Sequence, residues 1–194
     1  MPAPNANPVF HQFVQQFPFF TERSIELLNT HMQEDSFPKS QLIVKEGQVS
    51  NRIYLITQGA MRIYFERDGL EKTDWIALEG DLMMAPASFF TQEPSEHLIE
   101  TIEPTVALSL SYQELNSLYQ QDHEIERMGR LITIESYLMM YKHLHLLRTL
   151  SAKERYQKLL DTQPHLIQRI PLTYIASFLN MSLETLSRIR GRLI

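Results

Sequence analysis

The alternation of apolar and polar residues changes its period along the chain, and each period predicts a different kind of element. From Val9 to Phe17 and from Thr21 to His31 the spacing predicts two short helices, the second burying Ile25, Leu27 and Leu28. Phe17, Phe19 and Phe20, set around Pro18, read as core anchors, while residues 1–8, rich in Pro, Asn and Ala, read as a frayed lead-in. From Ser40 to Leu110 the period becomes two. The runs Leu42–Val44, Ile53–Ile56, Met61–Phe65, Thr73–Leu78 and Val106–Leu110 are short, and Glu46-Gly47, Gln58-Gly59, Asp68-Gly69 and Glu79-Gly80 punctuate them. Short strands with turn residues between them predict an antiparallel roll or barrel. Asp81 to Phe90 is expected to form a short helix or loop over one mouth.

After the strands the period returns to that of a helix. Ser111-Tyr-Gln-Glu114 is a capping box, and Asp122 is placed to cap a much longer helix reaching Thr149. In that helix Leu131, Ile134, Leu138, Tyr141 and His145 form one stripe, and Tyr137, Met140, Leu144 and Leu147 form another. A helix apolar on two faces must bury both. One face is expected to cover the roll and the other a second copy of the chain, the competing reading being burial of both within one monomer. Ser151-Ala-Lys-Glu154 opens a helix through Leu160, Pro164 is read as ending that unit, and Gln168–Ile170 as a short link, with or without one strand, into the terminal helix pair.

The terminal stretch reads as two short helices with a tight turn between them. Ile175, Ala176 and Leu179 make one apolar face, Asn180 tolerates the left-handed conformation that a turn requires, and Ser182 is a natural N-cap. Leu186, Ile189 and Leu193 then repeat at i, i+3 and i+7. That is the layout of a helix-turn-helix, whose second helix reads bases with its N-terminal residues. Glu184 and Arg188 point away from the Leu186/Ile189 face, and Arg190 and Arg192 stand at the C-terminal end. An arginine can donate to G O6/N7, and a carboxylate can accept from C N4. The competing reading is a solvated ion pair, worth about 0.2–0.5 kcal/mol.

Charge favours the nucleic-acid reading. The net charge of −5 hides a division: residues 142–194 hold nine Lys/Arg and three Asp/Glu (+6), and residues 1–141 hold nine and twenty (−11). A basic end on an acidic body is the footprint of a DNA-binding module carried by a separate domain. The chain contains no cysteine, which removes disulfides, zinc–thiolate sites and cysteine-ligated iron–sulfur clusters. No signal-peptide pattern stands at the N-terminus, and no apolar run approaches the roughly 20 residues of a membrane span, so a cytoplasmic protein is expected.

A roll, a long helix and a terminal helix-turn-helix together resemble the Crp/Fnr family of bacterial transcription regulators. The resemblance rests on Glu46-Gly47, Tyr54-Leu-Ile56 with Gly59, Gly80-Asp81, and above all Ser182-Leu-Glu-Thr-Leu-Ser-Arg188-Ile. It implies an α+β fold: an N-terminal antiparallel β-roll (a double-stranded β-helix like the cyclic nucleotide-binding domain), a long dimerisation helix and a C-terminal helix-turn-helix. The corresponding domains are 1–121, 122–150 and 151–194. The resemblance further implies a homodimer on double-stranded DNA, with Ser182, Leu183, Glu184, Thr185, Ser187, Arg188, Arg190 and Arg192 at the interface. Glu184 and Arg188 match base-reading positions, and Ser182 and Thr185 match positions near phosphates. Leu183 stands where the family has an arginine, so a thymine methyl contact replaces a polar one.

The same resemblance places a small-molecule effector pocket at Gly80, Asp81 and Ser95. In the family a Gly-Glu pair holds the ribose of a cyclic nucleotide and an arginine holds its phosphate. Here the acid is the shorter Asp81, and Gln92-Glu-Pro-Ser-Glu96 puts Pro94 at the arginine position between two carboxylates. Cyclic AMP is therefore expected not to bind in the usual mode.

Enzyme chemistry finds little support. The strand region holds one histidine, His97, His143 and His145 face different ways on a helix, and no Gly-x-Ser-x-Gly or phosphate-cradling loop is present. The alternative to a regulator is a ligand-sensing or protein-interaction module with weakened DNA contacts. Leu183 favours it, as does the expectation that no C-terminal wing follows the second helix.

Overall fold

The computed structural model describes residues 7–191. These residues form two compact units. One holds the described residues up to Tyr64 together with Ile76–Thr133; the other holds Phe65–Trp75 and the described residues from Ile134 onward.

The first unit opens with α1 (Pro8–Gln15) and α2 (Glu22–His31). Each starts on a side-chain cap: Asn7 accepts the Val9 N–H at 3.0 Å, and Thr21 accepts that of Ser24 at 3.4 Å. Eight strands follow: β1 (Gln33–Phe37), β2 (Leu42–Val44), β3 (Arg52–Gln58), β4 (Met61–Arg67), β5 (Leu70–Ala77), β6 (Leu82–Met83), β7 (Leu98–Thr101) and β8 (Thr105–Ser111), with α3 (Pro86–Thr91) between β6 and β7. They build two four-stranded sheets in the orders β1-β8-β3-β6 and β2-β7-β4-β5, which is the antiparallel roll the alternation predicts.

Turn chemistry explains the connections. Asp68 and Gly69 both have positive φ, 54° and 72°, which is the two-residue turn whose twist matches a β-hairpin. Gly59, at φ +94°, turns the chain from β3 into β4 where a Cβ would lie 2.5 Å from the Pro104 carbonyl oxygen. Only glycine fits there.

The core of this unit joins α1 and α2 to β3 and β8 through Phe10, Phe13, Val14, Leu28, Leu55, Leu108 and Leu110. Burying each such side chain contributes about 1.5–3 kcal/mol, so this cluster dominates the unit's stability. Helix α4 (Tyr112–Gln121) adds Leu115 and Leu118. It begins with the expected capping box: Glu114 accepts the Ser111 N–H at 2.7 Å, and Ser111 accepts the Glu114 N–H at 3.1 Å. Asp122 then caps α5 (His123–Thr149), accepting the N–H groups of Glu124 at 2.9 Å and Ile125 at 3.1 Å. Gly129 in α5 lies against the Tyr119 ring, whose hydroxyl burial pushes up to about 12.

In the second unit α5 continues from Ile134 and is followed by α6 (Ala152–Thr162), α7 (Pro164–Arg169), α8 (Leu172–Phe178) and α9 (Leu183–Arg190). The capping box of Ser151 and Glu154 opens α6 as expected. Between α6 and α8 one expectation is met and one is not. Helix α6 stops at Thr162, ahead of Pro164, and Pro164 itself begins α7, at the first helical position where its missing N–H costs nothing. Gln168–Ile170 is no strand: Ile170 donates to the Leu166 carbonyl at 2.9 Å, and the two side chains, one turn apart, are both buried. A β-branched isoleucine beside a polar pair resembles a strand only when its i−4 partner is overlooked.

The long helix exposes apolar side chains from both of its stripes. Tyr137 is 67% exposed, Met140 and Tyr141 are 60% exposed, and Ile134, Leu138, Met139 and Leu144 are also exposed.

Candidate nucleic-acid interface and sensor pocket

The geometry of the terminal helix pair follows from its turn. Met181 donates to the Ala176 carbonyl and Asn180 to that of Ser177, both at 2.9 Å, which together make a Schellman motif. Asn180, at φ 50°, supplies the left-handed residue that this motif needs. Ile175, Ala176 and Leu179 on one side of the turn and Leu186 on the other are buried, with small Ala176 allowing close approach. Ser182 caps α9: its hydroxyl accepts the Thr185 N–H at 3.2 Å and donates to the Thr185 hydroxyl at 3.0 Å.

The residues expected at the interface differ in exposure. Ser182, Leu183, Glu184, Ser187 and Arg188 are exposed, and Thr185 and Arg190 are half-buried; Arg192 lies outside the described residues. Among the described residues neither Glu184 nor Arg188 has a hydrogen-bond or ion-pair partner, so the competing i,i+4 ion pair is not formed. Two free charged groups, a hydroxyl and a leucine on one exposed helical face are the donor, acceptor and apolar contacts that base edges require.

Two supporting residues are not legible in the sequence. Arg155 on α6 donates from Nη1 to the carbonyls of Leu147 at 3.1 Å and Leu150 at 3.2 Å, and from Nη2 to that of Asn180 at 3.2 Å. One guanidinium thereby ties the end of α5 to the helix-pair turn. Ser177 on α8 accepts the Thr73 N–H at 2.8 Å and donates to the Glu71 carbonyl at 3.1 Å, joining the β4–β5 hairpin to the pair. Beside it Trp75 stands edge-on to His143 and Phe178, whose rings stack 4.5 Å apart. Burial holds the His143 imidazolium below its ordinary range, against the opposing pull of Asp74 and the Phe178 backbone. No periodicity announces the contacts of Arg155 with Asn180 or of Ser177 with Thr73 and Glu71, because they join residues 25, 104 and 106 positions apart.

The residues expected to line an effector pocket serve their own turns. Gly80 has φ +89° and donates to the Ile56 carbonyl at 2.9 Å. The Asp81 carboxylate accepts the Leu78 N–H at 2.9 Å. The buried Ser95 hydroxyl donates to the His97 carbonyl at 2.8 Å and accepts the His97 N–H at 3.0 Å. Glu93, Pro94 and Glu96 around it are exposed and offer no cationic donor. The fully buried arginine of this unit is elsewhere: Arg62 on β4 is 1% exposed, donates to Glu100 at 2.6 Å and lies 4.0 Å over the Tyr64 ring. Its positive charge is thus neutralised within the fold. Among the described residues no cluster of histidines and carboxylates could hold a metal ion, and no helix is long and apolar enough to cross a membrane.

Comparison with known proteins agrees with this architecture. Residues 34–122 match the cyclic nucleotide-binding domain family, which covers β1 to α4. FixK2 from Bradyrhizobium japonicum superimposes with a TM-score of 0.73 at 23% identity, over 84% of each chain. The c-di-GMP-responsive global regulator CLP of Xanthomonas campestris gives 0.68 at 18% identity, over 89% of this chain and 91% of its own. A transcriptional regulator of the Crp/Fnr family from Eubacterium rectale gives 0.67 at 14% identity, over 92% and 85%. No curated protein matches in sequence. The fold is thus a cyclic nucleotide-binding-type β-roll followed by helices, and as a whole it is the fold of the Crp/Fnr regulators.

Proposed function

We propose that this chain is a dimeric, cytoplasmic DNA-binding transcription regulator of the Crp/Fnr type, organised as a sensor (1–121), a dimerisation helix (122–150) and a DNA-binding head (151–194). The observation that carries the reading is the exposed face of α9, where Glu184 and Arg188 stand unpaired among the described residues on a helix held by a Schellman turn and a serine cap. Arg188 donates to a guanine edge, Glu184 accepts from a cytosine amino group, and Leu183 meets a thymine methyl. Ser182 and Thr185 lie toward the phosphates, and Ser187 and Arg190, with Arg192 outside the described residues, complete the proposed DNA-binding set. The exposed stripe of α5 from Ile134 to Leu144 pairs with the same stripe of a second copy. Two heads then address half-sites about one helical turn, roughly 34–36 Å, apart.

The sensor does not take cyclic AMP in the usual mode. The cyclic phosphate needs a bidentate cation, but the Glu93–Glu96 stretch supplies carboxylates, and Asp81 and Ser95 are engaged in their own turns. Residue chemistry and the cofactor do not fit. An effector of other chemistry shifts the population between two dimer geometries.

The test is selection of bound DNA from a random pool, followed by shift assays at low and high salt. A pseudo-palindromic site whose affinity falls steeply with salt is the expected result. No shift at low salt on any probe would instead favour the protein-interaction module, the reading that exposed Leu183 keeps in play. Calorimetry should show no micromolar binding of cyclic AMP.

A further inference from the structure

Between α5 and α6 the backbone leaves two carbonyls for a side chain, and Arg155 takes both. In a continuous helix the Leu147 carbonyl would accept the Ser151 N–H, and the Leu150 carbonyl that of Glu154. The capping box diverts both donors: the Ser151 N–H goes to the Glu154 carboxylate at 2.8 Å, and the Glu154 N–H to the Ser151 hydroxyl at 3.4 Å. Arg155 Nη1 donates instead, to Leu147 at 3.1 Å and Leu150 at 3.2 Å. A cation is thereby set at the negative end of the 27-residue α5. Nη2 of the same guanidinium donates to the carbonyl of Asn180, the left-handed residue between α8 and α9, at 3.2 Å. Its Nε–H is buried with no partner among the described residues. The guanidinium is a rigid plane, so setting it for three carbonyls fixes Nε where no acceptor stands.

We propose that Arg155 is the positioning residue of the recognition helix: its guanidinium fixes the turn before α9 to the end of α5, so that a dimer built on α5 holds its two reading helices at one separation and one rotation. The inference rests on the DNA-binding reading above. Helix α9 does not need the arginine in order to form. The turn bonds of Met181 and Asn180, the Ser182 cap and the burial of Ile175, Ala176, Leu179 and Leu186 are complete without it. What Arg155 adds is alignment, by joining across 25 positions a turn and a helix end that share no capping residue. Alignment matters to a reader with two heads. Each base pair advances about 3.4 Å and turns roughly 35°, so an error of two base pairs displaces one half-site by about 7 Å and roughly 70°.

The test uses DNA selected from a random pool with the natural protein. Three kinds of probe are made from it: the selected site, the same half-sites moved one or two base pairs closer or further apart, and a single half-site. The natural protein, Arg155→Met and Arg155→Lys are titrated on each, after circular dichroism has checked that the variants keep their helices. The natural protein should discriminate against displaced half-sites by about tenfold or more. Arg155→Met removes all three hydrogen bonds and should discriminate by less than about threefold, with weaker binding to the selected site and single half-site affinity within about twofold of natural. Arg155→Lys keeps the charge but not the planar fork, and should follow Arg155→Met in spacing. Should Arg155→Met not fold, Arg155→Lys decides by the same series. Spacing discrimination retained by a folded variant, half-site affinity falling as far as that of the whole site, or loss of the fold in both variants overturns the positioning role and leaves DNA binding standing. A natural protein that binds every spacing alike overturns it too. A natural protein that selects no DNA overturns the DNA reading itself, and the role of Arg155 with it.

Discussion

Arg188 stands one turn after Glu184 on the face of α9 that Leu186 does not bury, and its guanidinium has no partner among the described residues. Arg188→Ala should therefore cost about 1–3 kcal/mol at one base pair of the half-site and relax preference there. A quantitative binding series over single-base variants checks it, and an unchanged series refutes the role. Two glycines offer a control on the roll. Gly59→Ala places a methyl 2.5 Å from a backbone oxygen at positive φ, whereas at Gly69 the methyl meets open space. Gly69→Ala should cost the left-handed strain alone, about 1–2 kcal/mol, and Gly59→Ala clearly more. Urea unfolding separates them, and equal losses would contradict the packing described. His143 gives a pH dependence. Its folded-state value is depressed by burial, so the folded unit binds fewer protons than the unfolded chain. The stability it contributes is full above the ordinary histidine range and is lost as pH falls through the depressed value. Acid should therefore loosen the Trp75 cluster, seen in Trp75 emission; an identical titration of His143→Phe would remove the histidine from the explanation.

Among the elements, α5 carries the most exposed apolar surface. Tyr137 and Met140 point outward together with Ile134, Leu138, Tyr141 and Leu144. Replacing Tyr137 and Met140 with aspartate should leave the fold intact and convert a dimer to a monomer, measured by sedimentation equilibrium. A dimer that survives the change would place the interface elsewhere. The helix itself was legible in the sequence, since an aspartate cap and two stripes define it locally. Other elements were not. β1, Gln33-Glu-Asp-Ser-Phe37, is polar almost throughout because it is an edge strand paired only with β8. β7 is four residues long, too short for its alternation to register. The link before α8 became a helix rather than a strand because Leu166 and Ile170 are buried together.

At the scale of the whole molecule, the chain's own sequence determined what depends on neighbours along it. The roll's alternation, the caps at Ser111, Asp122, Ser151 and Ser182, the left-handed Asn180 and the basic terminal stretch are local properties, and their physical causes lie within a few residues of one another. The helix-pair face with Glu184 and Arg188 is legible for the same reason. Tertiary structure alone decided the long-range contacts: the buried Arg62–Glu100 pair, the Arg155 clamp on the Asn180 carbonyl, and the tip of β4–β5 joining the helical unit through Ser177. Each joins residues 25 to 104 positions apart, where no periodicity extends. Their partners are chosen by which groups burial leaves without water, and that becomes definite only when the chain has closed on itself.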